Sequence, residues 1–275
     1  MQKLLLLQSL WTFEALDGGP LGLERQFDMI RAAGFDGAGT LWLGRDAARH
    51  SALLAKDRGL VLEGLALPRS VDDLQPALEC GTEFGLHHLN VQPNVRTGDI
   101  GEAVRLLEGW QRLSLQVGFP VHIETHRGRL TNDLFFTLEL LRHCPWLKLT
   151  ADLSHYVVGG EIGLPIDTVH QQAIDRVLDH AAAFHGRIAT SEQVQAEIGF
   201  PQYRPWVEQF SAWWRTGFAK WRGKSTDDAE LSFMAELGPR PYATTDAENR
   251  DLSDRWQDSL ALRDLARRLW VESAG

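Results

Sequence analysis

Leu4-Leu5-Leu6-Leu7-Gln8-Ser9-Leu10-Trp11-Thr12-Phe13-Glu14 is an apolar run followed by a turn that contains no glycine. The run is broken at Gln8, is shorter than a secretory h-region, and has no small-residue cleavage site after it, so it reads as a buried strand. An open, doubly wound sheet that binds a dinucleotide carries a Gly-rich phosphate loop after its first strand. Trp11-Thr12-Phe13-Glu14 occupies that place here, which points to a barrel.

Outward from this strand, short apolar runs alternate with amphipathic segments along the whole chain. The strands are expected at Leu4–Gln8, Ala38–Leu43, Leu60–Ala66, His88–Gln92, Pro120–Glu124, Leu147–Asp152, Gly186–Thr190 and Ser232–Glu236. Helices are expected at Leu23–Ala33, Ala47–Arg58, Val71–Phe84, Ile100–Val117, Asn132–His143, Val169–Phe184, Arg204–Arg222 and Asp254–Glu272. Gly34, Gly59, Gly85 and Gly118 read as left-handed helix ends, and Thr131-Asn132-Asp133 supplies N-cap chemistry. Near-continuous apolar strands alternating with helices make a parallel sheet, and eight of them close it. The expected fold is α/β, a single (β/α)8 TIM barrel over residues 1–275, a length near the roughly 250 residues typical of that fold.

Composition bounds the function. Lys and Arg total 28 against 37 Asp and Glu, a net charge of −9, which repels phosphate backbones and anionic membranes. No stretch approaches the roughly 20 apolar residues of a membrane span. Cys80 and Cys144 form no CxxC pair and offer no thiolate metal site, which suits a reduced, cytoplasmic setting. The expected partner is a small molecule, with neither nucleic acid nor membrane.

The chemistry gathers where the late strands run out. Glu124 ends the fifth strand, Asp152 the sixth and Glu236 the eighth, while His185 stands at the start of the seventh as assigned. Carboxylates embedded in apolar strands are rarely left buried and unpaired, and three of them converging repel one another unless a cation lies between. A divalent metal resolves that repulsion. Oxygen and imidazole donors without thiolate favour a hard or borderline ion, with Mn2+ first, then Mg2+ or Co2+, and Zn2+ as a further option.

This pattern resembles the xylose isomerase-like TIM-barrel superfamily of sugar-phosphate isomerases and epimerases. That superfamily also contains endonuclease IV, hydroxypyruvate isomerase and inosose dehydratase. The resemblance spans essentially the whole chain. It is carried by Ala33-Gly34-Phe35-Asp36-Gly37, the Glu124 strand end, Asp152-Leu153-Ser154-His155, the His185 strand and Glu236-Leu237-Gly238-Pro239. It implies that Glu124, Asp152, His185 and Glu236 are metal ligands, that Glu124 and Glu236 flank the reacting carbon, and that His155 binds substrate. The implied reaction is isomerisation or epimerisation of a sugar or polyol ketone. One carboxylate removes a proton beside a metal-polarised carbonyl and the other returns it, through an enediolate.

Two departures from the family pattern bear on substrate. A carboxylate usual past the first ligand Glu is replaced by Arg127 and Arg129, and the arginine expected several residues past the metal His is represented by Arg187, only two beyond. Extra positive charge suits an acidic or phosphorylated sugar, and neutralising nearby acids is the equal alternative. His126 lies near the rim, Gln92 can reach a substrate hydroxyl, and Trp11 can wall a sugar pocket. His122 reads as a core histidine, and His87 and His88 as surface and strand-start residues.

The stripe Trp206, Phe210, Trp213, Trp214, Phe218 and Trp221 reads first as packing against the barrel and second as a homo-oligomer interface. Loops Ser191–Tyr203 and Pro239–Ser253 are candidate lids. An inosose dehydratase-like lyase shares the proton abstraction and is the main competing function. A non-catalytic sugar-binding barrel ranks below it, and so does an endonuclease IV-like phosphodiesterase. The latter needs further His and Asp ligands at earlier strand ends, where this chain has Trp42-Leu43-Gly44, Leu67-Pro68 and Gln92-Pro93.

Overall fold

Eight parallel strands in the order β1 to β8 close on themselves, β1 pairing with both β2 and β8. They are β1 Lys3–Ser9, β2 Gly37–Leu41, β3 Val61–Ala66, β4 His88–Val91, β5 Val121–Glu124, β6 Leu149–Ala151, β7 Ala181–Gly186 and β8 Glu230–Ala235. This computed structural model describes residues 1–16, 19, 21–42 and 44–274. The expected end of the second strand at Leu43 lies outside the described residues.

Helices α1 Leu23–Ala32, α2 Arg45–Asp57, α3 Gln75–Phe84, α4 Ile100–Ser114 and α5 Leu134–His143 follow the first five strands. The chain continues through α6 Ser154–Gly159, α7 Thr168–Asp179, α8 Arg204–Arg222 and α9 Arg255–Glu272. The short α6 escapes a periodicity reading because it is little more than one turn. Gly34, Gly59 and Gly85 have positive φ, as expected of left-handed helix ends. Gly118 does not take that role, because α4 already ends at Ser114. Asp133 caps α5 by accepting from the Phe136 amide at 2.7 Å.

The Ala-Gly-Phe-Asp turn has a local reason. The Asp36 carboxylate accepts from the Leu6 amide, and the Asp36 amide donates to the Leu6 carbonyl, both at 2.8 Å. This residue therefore fixes where β2 meets β1.

The seventh strand lies earlier than expected. Ala181-Ala182-Ala183-Phe184 has helix-favouring alanines and a continuation of the preceding helical pattern, yet it pairs with β6 and β8. Closure of the sheet overrides local propensity there. The shift moves His185 from the start of a strand to the last residue but one, at the end where barrel sites are built.

Packing divides into two regions. Between strands and helices runs the main core, in which Trp206, Phe210, Trp213, Trp214 and Phe218 of α8 are all buried. These five residues pack against the barrel, as the first reading expects: Trp214 meets Phe233 edge-on at 5.1 Å, and Phe218 meets Phe184 at 5.2 Å, while Trp221 is only partly buried. Inside the barrel a small apolar plug of Leu5, Leu7 and Met234 fills one side. The remainder of the interior holds Glu63, His88, Asn90, His122, Glu124, His185 and Ser232, all buried. Such a polar interior is expensive unless paired, and its pairing builds the site.

Both cysteines are free and buried. Among the described residues, no helix is long and apolar enough to cross a membrane.

Candidate active site and metal centre

Strand alternation turns every second side chain inward. Glu63 on β3, Asn90 on β4, Glu124 on β5 and His185 on β7 therefore meet in the barrel, joined by Asp152 and Glu236 just beyond β6 and β8. The Glu124 carboxylate is fully buried and accepts from Asn90 Nδ2, and Gln92 Nε2 lies 3.1 and 3.0 Å from its two oxygens. The backbone after it is pinned by Thr131, whose hydroxyl donates to the Glu124 carbonyl at 2.6 Å and accepts from the His126 amide at 3.1 Å.

His185 is the centre of the arrangement. Its Nε2 lies 2.7 Å from Glu63 Oε1, and the other Glu63 oxygen lies 2.8 Å from His88 Nε2. Its Nδ1 is buried without a hydrogen-bond partner and faces Glu236 Oε2 at 3.3 Å and Glu124 Oε2 at 3.7 Å. Donor atoms of Glu124, His185 and Glu236 all lie within 4.8 Å of one another. A second set, Glu124, His126 and His155, meets the same limit. The first set fits a divalent cation better, because an orphaned imidazole nitrogen aimed between two carboxylates, with its other nitrogen held by a third, is how metal-binding histidines are oriented.

Electrostatics agree with a site that wants positive charge. Burial, then the neighbouring Glu236 and Asp152, push Glu124 up to about 8 despite His185. Burial also disfavours ionised Glu236, but Arg187 and His185 outweigh it and hold the carboxyl below its ordinary range. For His185, burial opposes the charged form, and Glu63, Glu236 and Glu124 more than offset it, so its proton is held far more tightly than usual. Glu63 is kept ionised against burial by His185 and His88.

The other expected site residues fall into place unevenly. Asp152 is fully buried, with Oδ1 accepting from the Ser154 amide at 2.9 Å and from its hydroxyl, and Oδ2 accepting from Arg187 Nη2 at 2.6 Å. His155 is also fully buried, its Nε2 3.5 Å from Asp152 Oδ2 and its Nδ1 unpartnered. His126 lies against it with ring centroids 3.8 Å apart and reaches the cavity in front of the site. Burial drives His126 down to about 4 and His155 well below its usual value, so both rings are neutral near pH 7.

That cavity measures about 520 Å³ and is lined by Trp11, Gln92, His126, Arg129, Glu236 and Tyr242 among others. Trp11 meets Tyr242 edge-on at 4.8 Å, and the Arg127 guanidinium lies 5.3 Å from the Tyr242 ring. Gln92 lines the cavity while its amide nitrogen is directed at Glu124. A separate depression of about 550 Å³, lined by Trp42, Leu60 and Phe84, lies away from these carboxylates.

The loop at Ser191–Tyr203 is tied to the segment that follows β8. Gln195 and Glu197 are buried: Gln195 brackets Gly238 with hydrogen bonds of 2.8 and 3.1 Å, and Glu197 accepts from the Thr244 amide and hydroxyl at 2.9 and 2.8 Å. These contacts fix the segment after β8 that carries Tyr242.

Glu63 and Asn90 are site residues that the strand-end criterion overlooks, since both lie inside their strands. A signal was present for Glu63: a lone carboxylate in Val61-Leu62-Glu63-Gly64-Leu65-Ala66 must find a partner if it faces inward. His88 starts β4 as expected, and its side chain turns inward, 1% exposed, to join Glu63. His122 is buried beside it, ring centroids 5.4 Å apart, with Nδ1 unpartnered.

No family model and no curated protein matches the sequence. Solved structures share the fold. D-psicose 3-epimerase in the presence of D-fructose aligns with a TM-score of 0.60 at 11% identity, over 96% of this chain and 99% of that one. A xylose isomerase-like TIM-barrel protein from Mycobacterium smegmatis in complex with magnesium aligns at 0.62 and 11%, over 96% and 97%. A probable 3-DHS dehydratase from Bacillus anthracis aligns at 0.59 and 15%, over 98% of both chains. At such identities the likeness is one of fold alone, a closed eight-stranded (β/α)8 barrel.

Proposed function

We propose that the protein is a divalent-metal-dependent isomerase or epimerase acting on a sugar or a related polyol ketone. The observation that carries this reading is the unpartnered Nδ1 of His185 aimed between Glu124 and Glu236. Glu124, His185 and Glu236 would hold the ion, with Mn2+ or Mg2+ as the expected species for an oxygen-rich donor set. When bound, it supplies the positive charge that acidifies a carbon beside a substrate carbonyl.

The chain's own groups do the rest. Glu124 and Glu236 arrive from β5 and β8, so a substrate between them meets a carboxylate on each side. One takes the proton and the other returns it. Asn90 and Gln92 fix the Glu124 oxygens, and Arg187 fixes Glu236. Trp11 and Tyr242 wall the cavity and limit water, and sugar rings stack well on such faces. Arg129 and Arg127 at the rim favour a substrate with a carboxylate or phosphate group.

The test is solvent-proton exchange. In D2O with Mn2+, a panel of ketoses, sugar acids and sugar phosphates should include one that gains deuterium at the carbon beside its carbonyl, and both Glu124→Gln and Glu236→Gln should abolish the exchange. Exchange that persists in both variants would overturn the proposal. An enone chromophore in place of mass-balanced exchange would favour the lyase, a reading supported by the fold shared with the probable dehydratase.

A further inference from the structure

One cation already stands among these carboxylates, and it belongs to the chain. Arg187 lies two residues past His185, so strand alternation turns it into the barrel on the same face. It is 1% exposed. Its Nη2 donates to Asp152 Oδ2 at 2.6 Å and to Glu236 Oε2 at 2.9 Å, and its Nε donates to Ser154 Oγ at 3.2 Å. Ser154 in turn donates its amide and hydroxyl to the other Asp152 oxygen. Both oxygens of Asp152 are therefore engaged by the protein itself. Asp152 is absent from the donor set of Glu124, His185 and Glu236 that converges within 4.8 Å.

We infer that Arg187 fills the fourth position of the cation cage, withholding Asp152 from the metal and leaving a three-ligand site of Glu124, His185 and Glu236. This rests on the metal-dependent reading above. A guanidinium cannot be deprotonated in a protein, so it is a permanent counter-ion. Glu124, Asp152 and Glu236, when ionised, outnumber the single positive charge of Arg187, so the cluster still accommodates a divalent ion. Coordination positions that Asp152 would fill stay open to substrate oxygens. The rings of Trp11 and Tyr242 lie 5.8 and 5.2 Å from the guanidinium carbon and pack it in place. A fixed positive charge this near also weakens metal binding, because like charges in a water-poor interior interact strongly.

The experiment is titration of the metal-free protein with Mn2+, followed by the EPR signal of the free ion. Arg187→Met and Arg187→Gln should each tighten Mn2+ by about tenfold or more, while Arg187→Lys, which keeps the charge, stays within about threefold of the parent. Asp152→Asn should weaken Mn2+ at least about tenfold more in the Arg187→Met background than in the parent, because only there is Asp152 free to ligate. Circular dichroism identifies any variant that fails to fold, and the two neutral replacements serve as checks on each other. Neutral variants that bind Mn2+ no more tightly than the parent, or an Asp152→Asn effect equal in both backgrounds, overturn the inference. A parent that binds no Mn2+ would remove the metal-dependent reading and this inference with it. A parent that binds Mn2+ with no tightening in either neutral variant would overturn this inference alone and leave the metal-dependent reading standing.

Discussion

Glu63 on β3 meets His185 on β7 across the barrel, Oε1 to Nε2 at 2.7 Å, although the two residues are 122 positions apart in the chain. The contact sets which imidazole nitrogen is left for the site. With Nε2 committed to Glu63, Nδ1 faces Glu124 and Glu236. Glu63→Gln should therefore weaken divalent-metal affinity by about 10–100-fold, the usual cost of losing a partner behind a metal-binding histidine. Mn2+ titration reads this directly, and unchanged affinity would show that His185 is oriented by packing alone.

Metal binding should release protons. Glu124, pushed up to about 8 by burial and its acidic neighbours, is mostly protonated at pH 7 without a cation, as is His185. Ligation needs the carboxylate and a bare Nδ1, so at least about one proton should leave per ion bound at pH 7. The number should fall as pH rises through 8. Calorimetry in buffers of different ionisation enthalpy counts the protons, and Glu124→Gln should lower the count by about one.

Acid should destabilise the fold through His122. Burial, then His88, hold its folded value down to about 3, against an ordinary unfolded value near 6.5. The native ring stays neutral while the unfolded ring charges, so this stability is full above 6.5 and is lost as pH falls towards 3. Between pH 7 and pH 5 the loss from this one group is at most about 2 kcal/mol. Urea midpoints across that range should drop, and His122→Phe should flatten the slope. An equal slope in the variant would assign the effect elsewhere.

The Gln195 contacts behind the cavity wall should be separable from the chemistry. Gln195→Ala leaves the Gly238 amide and carbonyl without their buried partner, a loss of about 1–3 kcal/mol in urea unfolding. Gly238 also matters sterically, since a Cβ there would overlap the Trp11 ring. Gly238→Ala should displace Trp11, changing tryptophan emission and raising KM more than it lowers kcat, with Mn2+ affinity retained.

Much of this was written locally. The turn Trp11-Thr12-Phe13-Glu14 and the repeated strand–helix alternation imply a barrel, because buried parallel strands and amphipathic helices leave few ways to cover both faces of a sheet. Glu124, Asp152 and Glu236 announce themselves as charges closing apolar runs. The two-residue spacing of His185 and Arg187 already requires both to point the same way. The sequence misled at Ala181–Phe184, where alanines satisfy a helix and a strand equally until closure with β6 and β8 selects the strand.

Tertiary structure alone decided the partners. Glu63 and His185, Asn90 and Glu124, or Arg187 with both Asp152 and Glu236 are brought together by sheet register, which is a property of the closed barrel and leaves no mark within one strand. Alternation says that a side chain faces inward. Which opposite charge it finds there depends on how eight strands are staggered around one axis, and that stagger is what put the Arg187 guanidinium beside Asp152 and Glu236.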